Sequence, residues 1–178
     1  MTNQTKTILV VAAAAIILYS NRMALGSMAE ELIKKYEADD INKYLTAYID
    51  PVGIPTVGYG STFNYDKNRK VMLGDKITQK KAVEWLRKET KTIVPQIKRL
   101  VKVPITKNQL DSLTSFVYNV GIGAFQRSTL LRLLNSRAPK DQVAAQFERW
   151  NKGMVQGKLQ VLPGLTRRRN EEKALFLT

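Results

Sequence analysis

Two carboxylates and a hydroxyl, Glu37, Asp50 and Thr56, stand close together in one stretch of the chain, LIKKYEADDINKYLTAYIDPVGIPTVGYGST from Leu32 to Thr62. Glu37 closes a run in which Leu32, Ile33 and Tyr36 recur at helical spacing between charged residues, so it belongs at a helix end. An acid there can rest against Ile33 and Tyr36, and such burial keeps a carboxyl protonated near neutrality, as a general acid must be. Asp50 opens a turn rich in backbone donors and is expected to stay ionised, able to activate water or stabilise an oxocarbenium-like transition state. Thr56, six residues on, could hold that water. Each residue also has an ordinary reading: a solvated helix end, a turn former and a strand residue. Spacing alone does not choose between the two.

Composition narrows the chemistry. The 178 residues include no cysteine and no histidine, which excludes thiolate nucleophiles, imidazole bases, disulfides and zinc sites built from those ligands. Carboxylates, hydroxyls and lysines remain, and a carboxylate pair suits glycosidic bonds because one acid donates a proton while the other handles water. Lys and Arg number 29 against 15 Asp and Glu, a formal net charge of +14, so the partner should be anionic: cell-wall polymer, lipid surface or nucleic acid. Gly58–Gly60 is no phosphate cradle, since neither a P-loop lysine nor a helix follows it, and its glycines are expected to shape a sheet. Arg167–Arg169 reads as a solvated helix face.

The elements that must position these residues follow from pattern. Pro51, Gly53, Pro55, Gly58 and Gly60 among Ile49, Val52, Ile54 and Val57 predict turns and short strands in a small sheet. Thr78 is a cap for a helix past Trp85 that Pro95 should kink or break. Thr106 and Gln109 form a capping-box pattern for a helix carrying Leu110, Leu113, Phe116 and Val117 and stopping at Gly121 and Gly123. Ser128 caps another through Leu134, and Lys140–Trp150 and Thr166–Leu177 supply two more, joined by a loop with Gly153, Gly157, Pro163 and Gly164. The fold class is α+β, a small sheet-bearing lobe beside a larger helical lobe with a cleft between them.

Residues 1–27 stand apart from the domain at 28–178. Ile8–Tyr19 is an unbroken apolar run with Lys6 before it and Arg22 after it. It suits a signal-peptide core better than a full bilayer span of about 20 residues. Met23–Ala29 offers small residues without one clean cleavage site, so a retained anchor is the other reading. Both mean export.

Glu37, Ala47, Tyr48, Asp50, Gly53, Thr56, Gly58, Tyr59, Gly60 and Thr62 match the signature of the phage-type lysozymes, a helix ending in an acid and then AYxDxxGxxTxGYGxT. NQLDSL, FVYNVG, STLLRLLN and PGLTRRRNEEKALF resemble that family's helical lobe, so the resemblance spans roughly residues 30 to 178. It implies a lysozyme-like fold, no cofactor or metal, and hydrolysis of the bond from N-acetylmuramic acid to N-acetylglucosamine in bacterial peptidoglycan. By position the catalytic acid falls on Glu37, the second carboxylate on Asp50 and the water-positioning threonine on Thr56. Tyr118, Asn119 and Ser128 fall where the family contacts substrate. The chain departs from the pattern in one place: Asp50 follows Glu37 by thirteen positions rather than about nine, and Asp39 and Asp40 lie within the insertion as rival acids.

Resemblance to signal-anchor endolysins further implies a monomer, without nucleic acid, tethered to the host inner membrane through residues 8–19 and then freed into the periplasm to cause lysis. Two other functions remain open at this point, a lytic transglycosylase forming anhydro-sugars and a non-enzymatic basic module bound to membrane or nucleic acid.

Overall fold

The computed structural model describes residues 27–51, 53–155 and 157–178. The apolar run Ile8–Tyr19 lies outside them; among the described residues no helix is long and apolar enough to cross a membrane.

The chain enters through helix α1 (Ser27–Glu37), whose Ala29 and Ile33, four residues apart, are both buried. Next comes the small lobe, with a 3-10 turn at Ile41–Tyr44 and two antiparallel hairpins, β1 (Tyr48–Ile49) with β2 (Pro55–Thr56) and β3 (Phe63–Asn64) with β4 (Arg69–Lys70). The expected single small sheet is therefore two separate two-stranded ones here. Val57, Val71 and Trp85 pack beneath them, while Ile33, Ile41, Tyr59, Ala82 and Leu86 fill the join to the helices.

Helix α2 (Gln79–Leu100) joins the lobes. Thr78 caps it by accepting from the Lys81 N–H, as read from the sequence. Pro95 neither ends nor interrupts it. The amide that proline lacks would have bonded the carbonyl of Lys91, and both residues are exposed, so water can serve that oxygen.

The large lobe is built around α3 (Lys107–Val120), eight of whose residues are buried. Its capping box is complete, Thr106 accepting from the Gln109 N–H and Gln109 accepting from the Thr106 N–H. Phe116 sits at the centre, its ring edge-on to Phe147 and Trp150 at centroid distances of 5.2 and 5.5 Å. Gly121 ends α3 at φ +83°, but a short helix α4 (Ile122–Gln126) resumes at once and contains Gly123, so only the first of the two glycines is a stop. Helix α5 (Thr129–Asn135) follows. The segment expected as one helix from Lys140 to Trp150 divides into α6 (Lys140–Ala144) and a 3-10 turn at Phe147–Trp150.

The loop expected next is instead a hairpin, β5 (Lys152–Val155) with β6 (Lys158–Val161). Its register pairs Met154 with Leu159 and Lys152 with Val161, all exposed, so no buried alternation marks it in the sequence. The last helix, α7 (Pro163–Leu177), starts three residues earlier than expected, with Pro163 at its first turn where a missing N–H costs nothing.

Candidate active site

Glu37 is the last residue of α1, at the join of the lobes. Its carboxylate faces the turn Gly58–Gly60: a Cβ placed on Gly60 would lie 3.7 Å from Glu37 Oε2. Gly58 and Gly60 have φ of +67° and +96°, and this left-handed geometry brings the turn against both α2 and Glu37. The sequence expectation that the acid rests on apolar side chains is overturned. Arg168 of α7 donates from Nη1 to Glu37 Oε1 at 2.6 Å.

Arg168 and Arg169 are themselves 2% and 0% exposed, so of the run Arg167–Arg169 only Arg167 faces solvent as expected. What allows two buried guanidiniums is Glu172, one and nearly one helical turn further on. Its Oε1 accepts from Arg168 Nε at 3.2 Å, from Arg169 Nη2 at 3.0 Å and from the Ser115 hydroxyl at 2.7 Å. Arg168 Nη2 donates to the Ser115 carbonyl, and the rings of Tyr36 and Phe116 lie against the two guanidiniums at 5.8 and 5.0 Å. The signal for this was present in the i,i+3 and i,i+4 spacing from arginine to glutamate, but a glutamate at that spacing also occurs on solvated helices.

Asp50 and Thr56 stand on the two arms of the β1–β2 hairpin, and both bond to the backbone of one residue, Ile54. The Ile54 N–H donates to Asp50 Oδ1 at 2.8 Å, while the Ile54 carbonyl accepts from the Asp50 N–H and from Thr56 Oγ1, each at 3.0 Å. Thr56 is buried and in strand register with Tyr48. Burial pushes the Tyr48 phenol up from its ordinary pKa, and Tyr44, Glu37 and Asp50 add to the shift, so Tyr48 lies within electrostatic reach of both candidate carboxylates.

The rival acids are engaged locally. Asp39 is exposed and pairs with Lys43 at 3.1 Å. Asp40 caps the 3-10 turn by accepting from the backbone and side-chain nitrogens of Asn42. That turn accommodates the extra residues between Glu37 and Asp50, anchored by buried Ile41.

Of the three other candidates, Asn119 is exposed in the last turn of α3. Ser128 is buried and accepts from the Leu131 N–H as the cap of α5. The Tyr118 hydroxyl lies 2.7 Å from both the Tyr59 carbonyl and Glu89 Oε2. Glu89 and Ser61, whose hydroxyl donates to Glu89 Oε1 at 2.7 Å, are further members of the site that sequence reasoning passed over. Nothing in the local pattern distinguishes Glu89 from other helical glutamates.

Residues 41–172 match the phage lysozyme family. The chain belongs to that family. An endolysin of Acyrthosiphon pisum secondary endosymbiont phage 1 is 41% identical over 145 residues, 82% of this chain and 92% of the relative. A protein of Enterobacteria phage P21 described as a SAR-endolysin is 36% identical over 131 residues, 73% of each chain. Among solved structures, an endolysin from Escherichia coli O157:H7 phage FAHEc1 superposes with a TM-score of 0.75 at 35% identity, covering 86% of this chain and 92% of that one. As a phage lysozyme the chain is a glycoside hydrolase, a muramidase of the endolysin type, and its lysozyme-like α+β fold is the one expected.

Proposed function

We propose that this endolysin hydrolyses the β-1,4 bond between N-acetylmuramic acid and N-acetylglucosamine with Glu37 as general acid, Asp50 as the second carboxylate and Thr56 as the residue that orients water. The observation that carries the assignment is the meeting of Glu37 with the Gly58–Gly60 turn, beside a hairpin on which the backbone of one residue, Ile54, holds both Asp50 and Thr56. The hydroxyl hydrogen of Thr56 is spent on the Ile54 carbonyl, so toward a water Thr56 can only accept. A water giving one hydrogen to Thr56 and the other to the Asp50 carboxylate keeps a lone pair aimed away from both, the orientation that attack on an anomeric carbon needs. Glu37 meanwhile protonates the departing sugar oxygen, and Arg168, by holding Oε1, leaves Oε2 toward the turn.

Asn119 extends the glycan-binding surface at the end of α3. Export across the host inner membrane, with residues 8–19 as tether before release into the periplasm, is supported by the apolar run between Lys6 and Arg22 and by similarity to proteins called SAR-endolysins. The chain works as a monomer on peptidoglycan, and its excess of positive charge favours that anionic wall.

The test is product analysis of peptidoglycan digested by the full chain, beside Glu37→Gln and Asp39→Asn. Reducing muramic-acid ends that vanish with Glu37→Gln and persist with Asp39→Asn are expected. Anhydro ends would overturn hydrolysis in favour of a transglycosylase, and loss with Asp39→Asn alone would move the acid.

A further inference from the structure

The hydrogen bonds around Tyr118 do not balance unless a carboxyl proton is present. The phenol oxygen stands 2.7 Å from the Tyr59 carbonyl and 2.7 Å from Glu89 Oε2. A phenol has one hydrogen, and a backbone carbonyl has none to offer. Were Glu89 a carboxylate, Tyr118 could satisfy only one of the two oxygens, and the other contact would set lone pair against lone pair at hydrogen-bond distance. Both contacts become hydrogen bonds when Glu89 carries a proton on Oε2. Glu89 then donates to the Tyr118 oxygen, Tyr118 donates to the Tyr59 carbonyl, and Glu89 Oε1, now a carbonyl oxygen, accepts from Ser61.

We infer that Glu89 is a neutral carboxylic acid in the active fold and a positioning residue, clamping both flanks of Gly60 so that the turn is held against Glu37. One arm of the clamp reaches the carbonyl before Gly60 through Tyr118, and the other reaches the Ser61 hydroxyl after it. The groups facing Glu89 agree with a neutral state. From α1 comes the Glu37 carboxylate, from α3 the Tyr118 phenol and from the small lobe the Tyr65 phenol. Arg168 of α7, the nearby cation, is committed to Glu37, Glu172 and the Ser115 carbonyl. Among the described residues no lysine or arginine pairs with Glu89, and burial together with Glu37 raises its pKa.

The inference deepens the assignment of Glu37 and rests on it for its catalytic consequence, while the position of the proton is independent of activity. Loss of the proton would leave either the Tyr59 carbonyl or the carboxylate without its partner and loosen the turn. A negative charge would also appear beside the Glu37 carboxyl. Cleavage should therefore fall as pH rises through the Glu89 pKa. Glu89→Gln preserves the clamp at every pH, because its amide N–H donates to Tyr118 and its amide carbonyl accepts from Ser61.

Three readouts on the full chain test this. Infrared difference spectra at neutral pH should contain a protonated-carboxyl C=O stretch that Glu89→Gln removes and Glu37→Gln keeps. The Gly60 amide resonance should titrate with that stretch in the unaltered chain and stay flat in Glu89→Gln. In glycan cleavage, Glu89→Gln should retain kcat within about threefold at neutral pH and lose the alkaline limb that Glu89 imposes, whereas Glu89→Ala should lower kcat about tenfold or more. Absence of the stretch would overturn the neutral acid, and a Gly60 amide indifferent to the proton would overturn the clamp. If the unaltered chain cleaves no peptidoglycan, the muramidase assignment fails while the two spectroscopic readouts still decide where the proton is.

Discussion

Replacing Arg168 by methionine, which keeps a similar length of apolar stem, removes three hydrogen bonds at once: to Glu37 at 2.6 Å and to Glu172 and the Ser115 carbonyl, each at 3.2 Å. The consequences for the partners differ. Glu172 retains Arg169 and the Ser115 hydroxyl, so its charge stays compensated. Glu37, with its side chain 23% exposed, recovers part of its hydration. The Ser115 carbonyl is left buried without that donor. Breaking a buried ion pair usually costs about 3–5 kcal/mol, and these compensations put Arg168→Met near the lower end, at about 3 kcal/mol. For a domain of this size that is a fall of about 6–12 °C in Tm. Urea unfolding followed by circular dichroism measures the loss, and a cycle with Glu37→Gln should return a coupling of about 1–3 kcal/mol. Arg168→Lys should not restore it, because an ammonium cannot fork toward Glu37, Glu172 and a carbonyl together. A loss under about 1 kcal/mol, or strict additivity with Glu37→Gln, would refute the tie between the acid and the last helix.

Other expectations follow from the same geometry. Gly58→Ala should destabilise by about 1–3 kcal/mol in thermal melts, since its φ of +67° is strained for alanine and the new Cβ would meet Ala82 Cβ and Ile77 Cδ1 at 3.1 Å. Thr106→Ala, which dismantles the capping box of α3, should cost about 1–2 kcal/mol in urea unfolding. The pH dependence of Tm has two parts of opposite sign. Arg69 first and then Lys67 hold Asp75 well below the usual carboxylate range, so its contribution is present above the unfolded pKa and lost as pH falls through the folded one, and Asp75→Asn should flatten the acid side. Burial raises Glu89, so its contribution is full below the unfolded pKa and lost as pH rises through the folded one, and Glu89→Gln should flatten that side.

Local rules were legible wherever one residue decides a backbone feature. Thr78, Thr106 with Gln109, and Ser128 all cap helices as their types and positions say, and Gly58 and Gly60 shape the turn expected of them. The order of lobes and the end of α1 at Glu37 were readable for the same reason. What escaped depends on partners far along the chain. Glu37 is held by Arg168, 131 residues away, and Glu89 acquires its role only when Ser61, Tyr59 and Tyr118 converge on it. Pro95 misled because the rule that proline breaks helices assumes a carbonyl with no other recourse, and this one faces water. The β5–β6 hairpin was missed because both of its strands are exposed and carry no buried face to impose a period of two.

The bridge from Glu37 to Arg168 joins the first described helix to the last, and a second contact, Lys35 to Glu171 at 2.6 Å, fastens the same two elements. A ribosome makes the acid long before the guanidinium that holds it. The nascent chain therefore carries a full set of reactive side chains without their arrangement until α7 has emerged and docked. Synthesis thus builds in a delay, and a fragment cut short of α7 would bear every proposed reacting residue and still lack the brace for its acid.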